Sequence, residues 1–130
     1  MNYVALPEGL NELSKKIMSH AYNVHTALGP GLLESSYKEC LFYEIAKSNI
    51  MVLKEKSLPL IYKDVRLEVG YRVDLWIENS LIVEVKSVEA LTEAHSAQLP
   101  TYLKLSGCRL GLLFNFNVPR LKSGIRRIIL

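Results

Sequence analysis

The sequence has little cysteine, no long apolar run and no acidic residue after Glu93. Its two cysteines, Cys40 and Cys108, lack metal-ligand spacing, so we interpret both as buried thiols. No apolar run approaches the roughly 20 residues that span a membrane. The N-terminus has neither the basic nor the long apolar region of a signal peptide, so we expect a cytoplasmic protein with no membrane partner.

Size and composition predict one domain over residues 1–130. The chain is 49% hydrophobic, which excludes a disordered chain and is enough for a buried core. Charge is divided unevenly, because residues 1–93 sum to −3 and residues 94–130 to +6. A basic end favours a polyanion partner, although a solvated basic surface explains the charge equally well. The basic residues of this end are Lys104, Arg109, Arg120, Lys122, Arg126 and Arg127.

Hydrophobic periodicity predicts the element order α-α-β-β-β-β-α-β-β. Thr92 and Gly107 are the expected caps of the third helix, which we expect Pro100 to kink or break. Gly70 is expected at a bulge or bend. The helices are predicted at 10–28, 32–48 and 92–107. The strands are predicted at 51–56 and 58–62 (segments of one strand interrupted by Pro59), 65–70, 71–77, 81–86, 109–117 and 125–130.

The segments 71–77 and 81–86 are apolar and rich in β-branched residues, and the turn residues 78–80 separate them. This pattern predicts a hairpin. A three-residue loop places Ile77 opposite Leu81 and fixes the register of every pair further along. A two-residue loop would shift that register, so the site described next depends on the turn.

In this register Asp74 lies opposite Glu84, and Arg72 lies opposite Lys86. Directly opposed residues share a sheet face with Cβ atoms about 4.5–5.5 Å apart. Two carboxylates at that distance repel each other unless a cation lies between them, and oxygen ligands suit Mg²⁺. The alternative is two ion pairs, Asp74 with Arg72 and Glu84 with Lys86, on an exposed face of the sheet.

Three polar residues of the third helix, His95, Gln98 and Tyr102, share one face if that helix is continuous. A polar triplet on an apolar helix is consistent with a site. The residues alone favour the simpler interpretation, in which the histidine caps the helix, the glutamine is exposed and the tyrosine lies at the core edge.

Several motifs in order resemble the GxxExxY family, a branch of the PD-(D/E)XK nuclease superfamily. Together they cover nearly the whole chain, and their order and spacing carry the resemblance. They are the segments Gly31–Tyr37, Tyr71–Asp74, Glu84–Lys86, His95–Leu103, Gly111–Phe116 and Gly124–Ile128.

The resemblance implies an α/β fold in which helices flank a mixed sheet. The core would be restriction-endonuclease-like, α-β-β-β-α-β, with an extra N-terminal helix. By the same resemblance, Asp74 and Glu84 would bind the metal, and the Val85 carbonyl would complete its protein ligands. Glu34 would approach from the second helix as an accessory member of the metal site. Lys86 would be catalytic, together with Asp74 and Glu84, and would orient or deprotonate the attacking water.

Substrate-binding positions are expected at Gln98, Tyr102, Arg72 and His95, with Gln98 and Tyr102 on the phosphate side. The superfamily's proline before the aspartate is replaced here by Val73, which removes no ligand.

The function expected from these features is metal-dependent hydrolysis of phosphodiester bonds with Mg²⁺ or Mn²⁺, in DNA more than RNA. The alternative is a non-catalytic nucleic-acid-binding or protein-interaction module on the same fold. An enzyme of small phosphate esters is disfavoured by the basic end and by the lack of a glycine-rich phosphate loop. Because no helix-turn-helix or zinc module supplies specificity, we expect weak binding alone, a homodimer, or dependence on a partner.

Overall fold

A computed structural model describes residues 5–130. Its elements confirm the expected core order, with α1 as the extra N-terminal helix. The helices are α1 (Leu10–Leu28), α2 (Glu34–Lys47) and α3 (Glu93–Ser106), with a short 3₁₀ helix at Leu121–Gly124. The strands are β1 (Val52–Tyr62), β2 (Val65–Ile77), β3 (Leu81–Lys86), β4 (Leu110–Asn115) and β5 (Ile125–Ile129). Within the described part of the chain, no helix is both long and apolar enough to cross a membrane.

The five strands form one mixed sheet in the order β1-β2-β3-β4-β5. Only β3 and β4 pair in parallel, and α3 makes the crossover that a parallel pair requires. The two segments predicted on either side of Gly70 are one long strand. Gly70 has φ +92°, and the β1–β2 register shifts between Leu58 and Leu60, so the expected bend is confirmed without a strand break.

The predicted hairpin register is confirmed along its described pairs. Ile77 pairs with Leu81, and the register continues to Leu75 and Val83. The loop between the strands has three residues, and its first two, Glu78 and Asn79, adopt left-handed φ values of 50° and 52°. The loop length therefore sets which side chains of β2 and β3 share a face.

Two hydrophobic clusters cover the two faces of the sheet. The α1 and α2 face contains Leu75, whereas the α3 face contains Val73, although the two residues are only two positions apart in β2. Regular strands place residues two apart on the same face, so β2 changes face at Asp74. Its neighbour β1 changes with it, because Lys54 lies over Phe42 on one face and Lys56 over Trp76 on the other.

The turn Gly29-Pro30-Gly31 joins α1 to α2, and Tyr37 holds it. The Tyr37 hydroxyl donates to the Gly29 carbonyl at 2.5 Å and accepts from the Leu32 amide at 3.1 Å. Its fully buried ring stacks on Phe116, with 4.6 Å between ring centroids. Both hydroxyl bonds fix the chain just ahead of Glu34, where α2 begins, two residues later than predicted.

The third helix is capped as predicted but is not broken. Thr92 caps its N-terminus in a reciprocal pair with His95, and Gly107 ends it with φ +77°. The helix continues through Pro100, so the break suggested by that residue does not occur. Of the two cysteines, Cys108 is buried and Cys40 is partly buried.

A backbone contact at Gly124 fixes the end of β4. A Cβ atom at Gly124 would overlap the carbonyl oxygen of Asn115. The Asn115 side chain accepts from the Val88 amide at 3.1 Å and donates to the Val88 carbonyl at 3.0 Å. Because Asn115 pairs with Lys86 in the sheet, this contact supports the segment that leaves β3.

We therefore expect Gly124→Ala to lower the free energy of unfolding by about 3 kcal/mol, the upper part of the usual overpacking range. Urea unfolding followed by circular dichroism measures the loss. Exposed Lys122, in the same 3₁₀ helix, supplies the control Lys122→Ala. Equal stability of the two variants would contradict the predicted overlap.

Candidate active site

Asp74 and Glu84 meet where β2 and β3 separate. The backbone pairing of the two strands ends at Leu75 and Val83. Beyond that point, hydrogen bonds to the carboxylates of Asp74 and Glu84 join the strands. The Asp74 amide donates to Glu84 Oε1 at 3.1 Å, and the Val85 amide donates to Asp74 Oδ2 at 2.8 Å. Each carboxylate thus binds the backbone of the opposite strand, and the two acids lie together.

Glu84 is a buried acid, only 3% exposed. The pKa of Glu84 rises from the ordinary 4.5 to about 9, mainly because of burial and secondly because of the neighbouring Asp74 carboxylate. A buried carboxylate is costly in its charged form unless a positive charge accompanies it. The chemistry of Glu84 therefore favours either a proton or a bound cation.

The α3 side of the site is a chain of polar contacts that starts at Lys86. Its Nζ donates to Gln98 Oε1 at 3.2 Å, and Gln98 Nε2 donates to the Tyr102 hydroxyl at 2.8 Å. Burial and the Glu84 carboxylate raise the pKa of Tyr102, which keeps its hydroxyl protonated. The Tyr102 ring meets Tyr71 edge to face. Continuity of α3 thus places Gln98 and Tyr102 beside Lys86.

The α2 side of the site holds two charged residues that the sequence did not indicate, Lys38 and Glu55. Lys38 Nζ bonds to Glu55 Oε1 and lies 3.8 Å from Asp74 Oδ1. Burial tends to lower the pKa of Lys38, but the bond to Glu55 and the charge of Asp74 raise it overall. Lys38 follows Glu34 by one helical turn, and this spacing alone would have predicted that the two residues lie on the same side of α2.

Two predicted substrate residues have other partners. The nitrogen Nδ1 of His95 accepts from the Thr92 amide at 3.0 Å, so His95 caps α3. The Arg72 Nε lies 3.6 Å from Glu55 Oε2, on the side of the site that holds Lys38. Glu34 is exposed in the first turn of α2, and its charge acts on Lys38. The structure therefore groups Asp74, Glu84, Lys86, Gln98 and Tyr102 most closely.

The donor set suits a hard divalent cation. Asp74 and Glu84 offer carboxylate oxygens, the ligands that such ions prefer. Within residues 5–130 no three His, Cys, Asp or Glu side chains form a ready-made metal-binding group. A cation at this position would therefore complete its shell with backbone carbonyls or water, as Mg²⁺ commonly does.

The raised pKa of Glu84 predicts how the stability of the metal-free protein depends on pH. Folded Glu84 keeps its proton to a higher pH than unfolded Glu84, so its contribution is full below pH 4.5. That contribution is lost as the pH rises through about 9. We expect the melting temperature in EDTA to fall from pH 5 to 9, and Glu84→Gln to reduce this fall.

The control for this measurement is Glu89→Gln, which changes an exposed acid that follows Glu84 by five residues in the sequence. It should follow the pH dependence of the wild type. If the melting temperatures of Glu84→Gln and the wild type fall equally between pH 5 and 9, Glu84 does not titrate as described.

Comparison with known proteins agrees with this arrangement. A scan against protein-family models matches residues 11–128 to the PD-(D/E)XK nuclease superfamily. Comparison with curated proteins and with solved structures gives no significant match. The matched region contains both acids, Lys86 and the elements that position them. Since the match covers most of its length, the chain belongs to the PD-(D/E)XK nuclease superfamily.

Proposed function

We propose that the protein is a metal-dependent nuclease that hydrolyses phosphodiester bonds, in DNA more readily than in RNA. The observation that carries this proposal is the pair of Asp74 and buried Glu84, each bonded to the backbone of the opposite strand, with Lys86 two residues after Glu84. Membership of a nuclease superfamily supports a nucleic-acid substrate.

The ion of the proposed enzyme is Mg²⁺ or Mn²⁺; nucleases of this superfamily typically use divalent metals, and the oxygen ligands at this site suit a hard ion. Asp74, Glu84 and the Val85 carbonyl would hold it, with Glu34 as an accessory carboxylate from α2. When bound, such an ion polarises the phosphate and acidifies water. The raised pKa of Glu84 means that metal binding releases a proton there below about pH 9.

Lys86 is the catalytic residue that does not bind the metal, because its ammonium offers no lone pair. Residues two apart in a strand point to the same face, so Lys86 and Glu84 face α3 together. Gln98 holds the ammonium through its carbonyl oxygen, and Tyr102 fixes the Gln98 amide in turn. This chain positions Lys86 to stabilise negative charge on the phosphate or to orient the attacking water.

We also propose that the chain is one domain of the GxxExxY branch. The support is the tied turn ahead of α2, in which Gly31 has φ +100° and the Tyr37 hydroxyl bonds to both Gly29 and Leu32. In this proposal Gly31 turns the chain, Glu34 opens α2 and acts electrostatically on Lys38, and Tyr37 closes the turn.

Arg126 is the basic residue best placed to bind nucleic acid near the site. Glu84 pairs with Leu113, and Leu113 pairs with Arg126, so the three lie in one row across β3, β4 and β5. Leu113 belongs to the α3-face cluster, and Ile128, two residues after Arg126, packs against the same cluster. Arg126 therefore shares the face of Glu84, about 10 Å away at two strand spacings.

Two of the other basic residues of the chain's end, Arg127 and Arg109, lie away from Arg126. Arg127 faces α1, where its Nη2 donates to Asn11 Oδ1 at 2.5 Å. Arg109 bonds to the carbonyl oxygens of Ala5 and Leu130, at the opposite end of β4 from Lys86. A nucleic acid at the site would thus meet fewer positive charges than the sequence contains.

The first test is cleavage by Lys86→Ala. We expect activity on duplex and branched DNA with Mg²⁺ or Mn²⁺ to fall by about 10²–10³, the usual loss for one group that stabilises transition-state charge. Folding and metal affinity should remain close to those of the wild type, since Lys86 supplies no metal ligand. Lys16→Ala changes an exposed lysine of α1 and serves as the control.

Equal cleavage by Lys86→Ala and the wild type would point to a contaminating nuclease or another site. Salt-sensitive DNA binding without cleavage by the wild type would instead favour a non-catalytic binding module.

The second test compares Arg126→Gln with Arg127→Gln, which remove equal charge from opposite faces. Binding to labelled duplex DNA is measured by anisotropy across salt concentrations, in the Lys86→Ala background to prevent cleavage. Arg126→Gln should reduce the slope of log K against log[salt] by about 0.9, the value for one phosphate contact. Equal effects of the two substitutions would show that DNA does not follow the α3 face.

A further inference from the structure

Lys38 places a positive charge at the carboxylate pair. Its side chain is 17% exposed and that of Asp74 is 16% exposed, so the two groups meet largely out of water. The Lys38 Nζ bonds to Glu55 and lies 3.8 Å from Asp74 Oδ1. Lys38 is therefore shared between two carboxylates, one of which belongs to the proposed metal site.

The two carboxylate oxygens of Asp74 have different partners. Its Oδ2 already accepts from the Val85 amide at 2.8 Å, so Oδ1 is the less engaged oxygen. Lys38 approaches that oxygen. A divalent ion that uses Asp74 therefore meets the ammonium group at close range, where like charges repel strongly.

Glu55 is a second ion-pair partner for Lys38. It lies in β1 at the point where β1 and β2 change face, and its φ of +56° is uncommon for a residue other than glycine. Arg72 Nε, at 3.6 Å, lies beside the second carboxylate oxygen of Glu55. The Glu55 carboxylate is thus held beside Lys38 by an additional basic group and is not part of the Asp74–Glu84 pair.

We propose that Lys38 competes with the divalent ion for Asp74 and that Glu55 holds the ammonium aside when the ion binds. This inference deepens the proposed metal-dependent function and rests on it for the identity of the competing ion. Lys38 is a positioning residue: it keeps Asp74 ordered in the metal-free protein and withdraws from it as the metal enters.

Metal titration by calorimetry without DNA tests the competition. Lys38→Met should bind Mn²⁺ roughly tenfold more tightly than the wild type, the order expected when a positive charge beside a metal-binding carboxylate is removed. Glu55→Gln should bind Mn²⁺ more weakly, because Lys38 then has only Asp74 as a partner. In the Lys38→Met background, Glu55→Gln should have little further effect, since no ammonium remains to be held aside.

The double-mutant cycle separates this mechanism from simple addition of charges. If Glu55→Gln weakens Mn²⁺ binding equally with and without Lys38, the two residues act independently and the inference fails. The control is Lys54→Met, which removes another β1–α2 ion pair, in which Nζ lies 2.8 Å from Glu39 Oε2. It should leave Mn²⁺ affinity within about twofold of the wild type.

Thermal unfolding in EDTA tests the same contact without metal. Lys38→Met should lower the melting temperature, and Asp74→Asn should restore most of that loss. Lys38→Gln takes the place of Lys38→Met if the latter does not fold. An unchanged melting temperature overturns the inference. A wild type that binds no Mn²⁺ but shows this restoration overturns the proposed metal dependence and, with it, the competition.

Discussion

The site depends on the exchange of carboxylate bonds between β2 and β3. In a regular sheet, backbone groups would bond to each other at this point, but Asp74 and Glu84 bond instead to the amides of the opposite strand. A buried amide without a hydrogen-bond partner is costly. Substituting either acid by a residue that cannot accept a hydrogen bond would therefore leave a backbone amide unpaired and destabilise the fold. The same bonds that join the strands therefore hold two acidic side chains side by side.

The two helices contribute to the site in different ways. On the α2 face, the tied turn before Glu34 sets where the helix starts, and Lys38 reaches Asp74 from its second turn. On the α3 face, the cap at Thr92 and the uninterrupted passage through Pro100 carry Gln98 to Lys86. One face thus supplies charges that act on the carboxylates, whereas the other supplies polar groups that orient the lysine.

The sequence predicted the local parts of this arrangement well. Loop length determined the hairpin register, because every pair along two strands follows from the turn that joins them. The continuity of β2 past Gly70 and of α3 through Pro100 was not predictable, since neighbouring elements overrode the local preferences of those residues. Glu55 carried no signal either, because its position depends on a left-handed residue in a strand.

The change of face at Asp74 and Glu55 gives the site a second role, as the seam between two hydrophobic cores. Leu75 and Val73 lie on opposite sides of this seam and pack into different cores. Deleting one residue from either strand near the seam would turn the following side chains toward the wrong core. The length of β1 and β2 is therefore constrained here in the same way as the length of the β2–β3 loop, and this constraint on insertions and deletions holds whatever chemistry the site performs.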